Sequence, residues 1–140
     1  PDFTKPLFSE LNPMKKTTLL AILFALVFTS PSYADWTEVN ETVDGSTVYV
    51  DFERITKQDG YVYWWQLLNY KKISIHGHLS VGANFQCDCR QYRFKSLSFS
   101  YHKEPMLEGV GKFQEPEKKG WRESPPASVM EQTLKAVCSK

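Results

Sequence analysis

The residues best able to do chemistry in this 140-residue chain are its 3 cysteines and 3 histidines. Cys87 and Cys89 flank Asp88, and Cys138 stands near the C-terminal end. In an oxidising compartment such cysteines pair by default. A bond from Cys138 would pin a terminal helix to a sheet, with Cys89 the preferred partner and Cys87 the alternative. Closing a loop of about 50 residues contributes on the order of 4 kcal/mol by loop-closure entropy. A Cys87–Cys89 bond would form a tight, strained ring instead.

Cys-Asp-Cys also admits a metal reading. His76-Gly77-His78 lies a few residues upstream. If the two pairs met across neighbouring strands, His76, His78, Cys87 and Cys89 would make a Cys2His2 zinc site. The spacing matches no strong zinc signature, so this set is the alternative and no metal or other cofactor is expected. For an enzyme the chain is poorly equipped. It has no phosphate-binding Gly-rich loop and no Gly-x-Ser-x-Gly elbow. Asp51, Glu53, Asp88 and Glu104 are scattered along the sequence, as solvated surface charges are. Asp51 and Arg54 are spaced to pair locally at a strand end. The expectation is a protein without enzymatic activity.

Composition narrows the partners. Lys and Arg number 17 against 16 Asp and Glu, a net charge of +1 that leaves no electrostatic footprint for nucleic acid. Mean hydropathy of −0.42 argues against a polytopic membrane protein. The one long apolar run, Leu19 to Phe28, follows Met14-Lys15-Lys16 and precedes Ser32-Tyr33-Ala34. A basic start, a short apolar stretch and a small-x-small ending read as a secretory signal peptide over 14–34. The run is too short to span about 30 Å of hydrocarbon. Residues 1–13 precede the plausible start and are expected not to be native. The exported domain is then 35–140, with Asp35 as its first residue and no membrane span.

Such a domain buries a modest core, about 60–65% of its unfolded surface, and a covalent staple helps it. Strands are expected at Trp36–Glu41, Ser46–Phe52, Tyr61–Tyr70, Leu79–Cys89, Arg90–Tyr101 and Gly109–Gln114. Asp44-Gly45 and Asp59-Gly60 supply turns between them, and Gly82 hints at a bulge. After Pro125-Pro126 the period changes. Val129, Met130, Thr133, Leu134 and Val137 form a helical stripe, with Ser128 and Glu131 spaced as a capping box. The expected class is α+β: an antiparallel sheet of about six strands with one C-terminal helix packed on it and tethered by a disulfide.

The strongest strand carries Trp64 and Trp65 side by side, so they point to opposite faces. Tyr61, Tyr63, Trp65 and Leu67 share one face; Val62, Trp64 and Leu68 share the other. One helix covers one face. The other face is either folded over by another strand or exposed as an aromatic surface that meets a protein partner.

Taken in order, these residues resemble the bacterial surface-adhesin protein E family. The likeness runs through Trp36, Val48-Tyr49-Val50-Asp51, Arg54-Ile55 and Gly60-Tyr61-Val62-Tyr63-Trp64-Trp65, then Leu67 and Tyr70. It continues with Asp88-Cys89, Arg93, Leu97-Ser98, His102-Lys103-Glu104-Pro105-Met106 and Gly109. It closes on Trp121, Pro125-Pro126, Ser128-Val129 and Val137-Cys138. The resemblance implies an extended antiparallel sheet with a C-terminal helix tethered by Cys89–Cys138, Cys87 being a departure from the family's single cysteine. It also implies that Trp65, in the alternation through Tyr63 and Leu67, lies in the buried strand face, so Trp64 with Leu68 is expected on the exposed aromatic face that meets a protein partner. For function it implies surface display and binding of host or matrix proteins, with haem binding suggested for some members. No cysteine follows the apolar run for lipid attachment, so a periplasmic or released protein fits as well as an outer-surface one. The expected function is an exported, non-enzymatic, adhesin-like protein that binds a protein partner, with a homodimer as a further option. The alternative is a periplasmic metal- or haem-binding protein that uses His76, His78 or the Cys87/Cys89 pair.

Overall fold

The computed structural model describes residues 12–27 and 33–140, which divide into two units at Tyr33/Ala34. In the first unit, helix α1 spans Pro13–Val27. The Thr17 and Thr18 hydroxyls donate back to the carbonyls of Pro13 and Met14 at 2.9 and 2.8 Å. Of the segment expected upstream of the start, only Asn12 and Pro13 are described, and Ser32 of the expected cleavage site also lies outside the described residues. No described helix is long and apolar enough to cross a membrane.

The second unit holds eight strands and a terminal helix: β1 Trp36–Glu41, β2 Thr47–Asp51, β3 Thr56–Gln58, β4 Tyr61–Asn69, β5 Ser80–Asp88, β6 Arg93–His102, β7 Lys112–Gln114, β8 Arg122–Glu123 and α2 Val129–Cys138. All pair antiparallel in one sheet, ordered β1-β2-β4-β5-β6-β7, with β3 on β4 and β8 on β6. The six expected strands are present. The short pairs β3 and β8 have no apolar alternation to announce them; they form because their neighbours present free edges.

Both expected turns occur. Gly45 has φ 82°, and Asp59-Gly60 has φ 54° and 82°, the left-handed pair that a tight hairpin requires. The bulge of the β5–β6 pair lies in β6, where Leu97 is the extra residue opposite Asn84 and Phe85, and not at Gly82. Gly82 serves another purpose. A Cβ there would lie 2.7 Å from Ser100 Oγ and 2.9 Å from Leu107 Cδ1. The missing side chain lets the 105–107 turn lie against the sheet, with Leu67 fully buried in the neighbouring strand. That turn is held by Ser80 Oγ, which donates to Glu104 O and accepts from Leu107 N, and by Met106 N donating to Asn69 Oδ1.

Helix α2 lies on the opposite face. Ser128 Oγ accepts from Glu131 N at 3.1 Å, while the Glu131 carboxylate takes the Ala127 N–H at 2.6 Å. The cap thus satisfies two free amides, the second one residue earlier than in a capping box. Leu134 and Val137 join Val50, Val62, Trp64, Ala83, Phe85, Cys87 and Phe94 in one core. Cys89 and Cys138 are bonded, with their Cα atoms 5.7 Å apart. The preferred pairing therefore holds, and Cys87 is left as a buried free thiol.

The two edges of the sheet are irregular. β1 carries a register shift between Glu38 and Asn40, and β7 is 3 residues long.

Candidate functional site

Helix α2 covers only one end of its sheet face. Along that face the register aligns Val62 with Cys87, Trp64 with Phe85, Gln66 with Ala83 and Leu68 with Val81. The first two pairs lie within the core that α2 completes. The last two, with Tyr70, Phe85, Phe99 and Tyr101, line an open groove of about 240 Å³. Its walls are aromatic because β6 alternates Phe99 and Tyr101 onto this side, with their rings 6.2 Å apart. Burial raises the Tyr70 pKa, helped by the proximity of Tyr101 and Asp44, so the phenol stays a neutral hydrogen-bond donor across the physiological range.

Trp64 does not occupy the exposed position expected of it. It is 0% exposed, stacks on Phe85 at 5.1 Å between centroids, and its Nε1 donates to Gln66 Oε1 at 3.3 Å. The faces are exchanged relative to the expectation, and Trp65 is the half-buried one, with the Arg54 guanidinium 5.9 Å from its ring and 5.9 Å from that of Trp36. The reason is the β4–β5 register. The disulfide brings the helix to the face that Cys87 shares, and the register puts Val62 and Trp64 on that face. Register is a long-range property that alternation within one strand leaves open. Leu68 does line the groove, half-buried. Tyr70, Phe99 and Tyr101 were missed; the alternating aromatics of Arg90–Tyr101 were the signal available.

Tyr101 links the groove to two polar depressions. One, of about 450 Å³, is lined by His76, His78, Lys112, Gln114 and Glu117. The other, of about 370 Å³, lies under the 114–118 segment and Arg122. The His78 ring is 5.0 Å from that of Tyr101.

The Cys2His2 set is not assembled. His78 precedes Ser80 at one end of β5, and Cys87 lies at the other, about 20–25 Å along the strand at 3.3 Å per residue. Two pairs that flank one strand cannot meet across it, and Cys89 is bonded to Cys138. What the structure does gather is sulfur: Cys87 Sγ lies 3.6 Å from Cys89 Sγ and 3.7 Å from Cys138 Sγ. Burial pushes the Cys87 thiol up to about 11, with the Asp88 charge adding to the effect and the Val62 backbone amide opposing it.

Of the four carboxylates expected as solvated surface charges, Asp51 and Asp88 are instead buried and have structural partners. Asp51 is buried and its Oδ2 accepts from Arg54 Nε at 2.5 Å, the local pair expected. Burial works against the ionised form of Asp88. Even so, the Arg90 and Gln91 backbone amides and the charges of Arg90 and Arg93 hold its carboxyl below the ordinary value.

A disulfide-stapled antiparallel sheet, covered at one end of one face by a single helix, defines a small α+β scaffold. The profile of the surface-adhesin protein E family matches residues 36–139, and the chain belongs to that family. Membership implies an exported, surface-associated location, host-protein binding and a generally non-enzymatic role. Solved structures of Haemophilus influenzae protein E share the fold. Its crystal form II is 15% identical with a TM-score of 0.59, over 76% of this chain and 89% of that one. Protein E from non-typeable H. influenzae is 15% identical with a TM-score of 0.58, over 79% of each chain. No curated protein sequence matches the chain.

Proposed function

We propose that this protein is exported, with cleavage after Ala34, and binds a host or matrix protein through the groove around Leu68, Tyr70, Phe99 and Tyr101. The observation that supports the reading is the half-covered sheet face: apolar and aromatic side chains continue past the helix and line an open groove. Aromatic anchors in a concave, partly desolvated patch are the usual carriers of binding energy. Around them, His76, Lys112, Glu117 and Arg122 provide a polar rim of mixed charge.

The test is a binding titration against immobilised matrix and serum proteins with three variants. Leu68→Asp and Tyr101→Ala are expected to weaken binding by about 30-fold, equivalent to about 2 kcal/mol for a hot spot. Tyr63→Ala, on the other face, is expected to leave it unchanged. Binding that survives both groove variants and fails with Tyr63→Ala refutes the groove. A second reading, haem binding, is favoured by His78 lying against Tyr101 at the groove mouth. A haemin titration in which His78→Ala leaves the absorbance change intact removes it.

A further inference from the structure

Cys87 sits beside a finished disulfide, and its place there suits one chemistry better than another. Its sulfur is nearly equidistant from the two bonded sulfurs, at 3.6 and 3.7 Å, so it flanks the bond instead of lying in line with it. Thiol–disulfide exchange requires attack along the S–S axis by a thiolate. Side-on placement disfavours that path. The third cysteine is badly placed to reshuffle the staple.

The same equidistance suits coordination. The three Sγ atoms all lie within 4.8 Å of one another. Metal–sulfur bonds of about 2.3 Å put the corners of a trigonal three-sulfur site about 4.0 Å apart. Two edges of this triangle already approach that length. The third is the covalent bond, which reduction opens.

We propose that, when Cys89–Cys138 is reduced, Cys87, Cys89 and Cys138 together bind one Cu(I) ion as a three-thiolate site. Soft thiolates select soft cations. Among the described residues no fourth ligand is at hand for zinc: His76 and His78 stand at the far end of β5, and Asp88 is engaged by the Arg90 amide and the Arg93 guanidinium. Cys87 is 0% exposed and fixed on a central strand, which gives the site one rigid corner and a dry floor.

The steps balance. An external dithiol gives two electrons and two protons to the Cys89–Cys138 bond, becoming a disulfide and leaving two thiols. Cu(I) then displaces the three thiol protons to solvent without changing its own oxidation state. Disulfide and metal are thus alternative clamps on the same helix, set by the availability of reductant and copper.

The experiment uses the purified protein, reduced anaerobically with a phosphine and titrated with Cu(I) against a chromophoric bicinchoninate competitor. Near-ultraviolet circular dichroism is recorded in parallel. The expected result is one tightly held Cu(I) per chain, native dichroism, and affinity about 100-fold above that of reduced Cys87→Ser, which lacks one of the three ligands. X-ray absorption then shows three sulfur neighbours. Equal affinity in wild type and Cys87→Ser overturns the proposal. So does two-sulfur coordination, or a reduced chain that loses its native dichroism and does not regain it with Cu(I).

Discussion

Trp64→Ala tests the arrangement of the sheet faces directly. The side chain is wholly buried, stacked on Phe85, and belongs to the core that Leu134 and Val137 complete. An indole buries roughly 150–250 Å², which at about 25 cal/mol per Å² corresponds to about 4–6 kcal/mol of transfer free energy. That figure is an upper bound, because the unfolded chain already hides part of its surface. Measured truncations of this kind cost about 3–5 kcal/mol. At about 4–8 °C per kcal/mol for a domain near this size, the melting temperature falls by about 12–40 °C. Urea denaturation of the oxidised protein is the assay, with Leu68→Ala as the comparison. Leu68 occupies the same sheet face two register pairs further along, where no helix covers it. Its truncation is expected to cost about 1 kcal/mol, with the denaturant slope unchanged in both variants. A Trp64→Ala loss no larger than that of Leu68→Ala refutes the placement of helix α2 over Trp64.

Further outcomes follow from the same contacts. Cys138→Ser opens a crosslink spanning 49 residues and is expected to destabilise the protein by about 4 kcal/mol; an unchanged urea midpoint contradicts the tether. Gly82→Ala drives a methyl into Ser100 and Leu107 and is expected to cost about 1–3 kcal/mol, part of which Leu107→Ala recovers in the double variant. The Asp88 carboxyl ionises at a lower pH in the folded protein than in the unfolded chain. Its contribution is therefore complete above about pH 4 and lost as pH falls through the depressed value. The acid-side decline of melting temperature is expected to be shallower in Asp88→Asn, and superimposable profiles exclude the assignment.

The strands and the capped helix were legible in the sequence because each has a local signature, whereas the staple joins residues 49 apart and the choice between Cys89 and Cys87 stayed open. The alternating aromatics of Tyr61–Asn69, the Asp-Gly turns and the Ser128 cap act within a few residues. Which face of β4 the helix takes was not legible. It depends on the pairing of Val62 with Cys87, 25 positions apart in sequence, and a slip of one residue would have exchanged Trp64 for Trp65. The groove was half legible for the same reason. Leu68 was identified from its strand, but Phe99 and Tyr101 reach it from another. The proposed zinc ligands failed on distance along a strand, because closeness in sequence becomes separation in space once the chain is extended.

The irregular margins of the sheet bear on how this molecule meets others. A protein displayed or released among its own copies at high local density risks growing by strand addition, each copy extending the ladder of the last. Here neither margin offers a usable template. One is kinked where its register shifts between Glu38 and Asn40. The other offers 3 residues beginning at Lys112 and is soon followed by Pro116, which lacks an amide to donate. Recognition through main-chain ladders is thereby suppressed on both sides. Contact is left to the broad surfaces of the sheet, where side chains decide which partner fits.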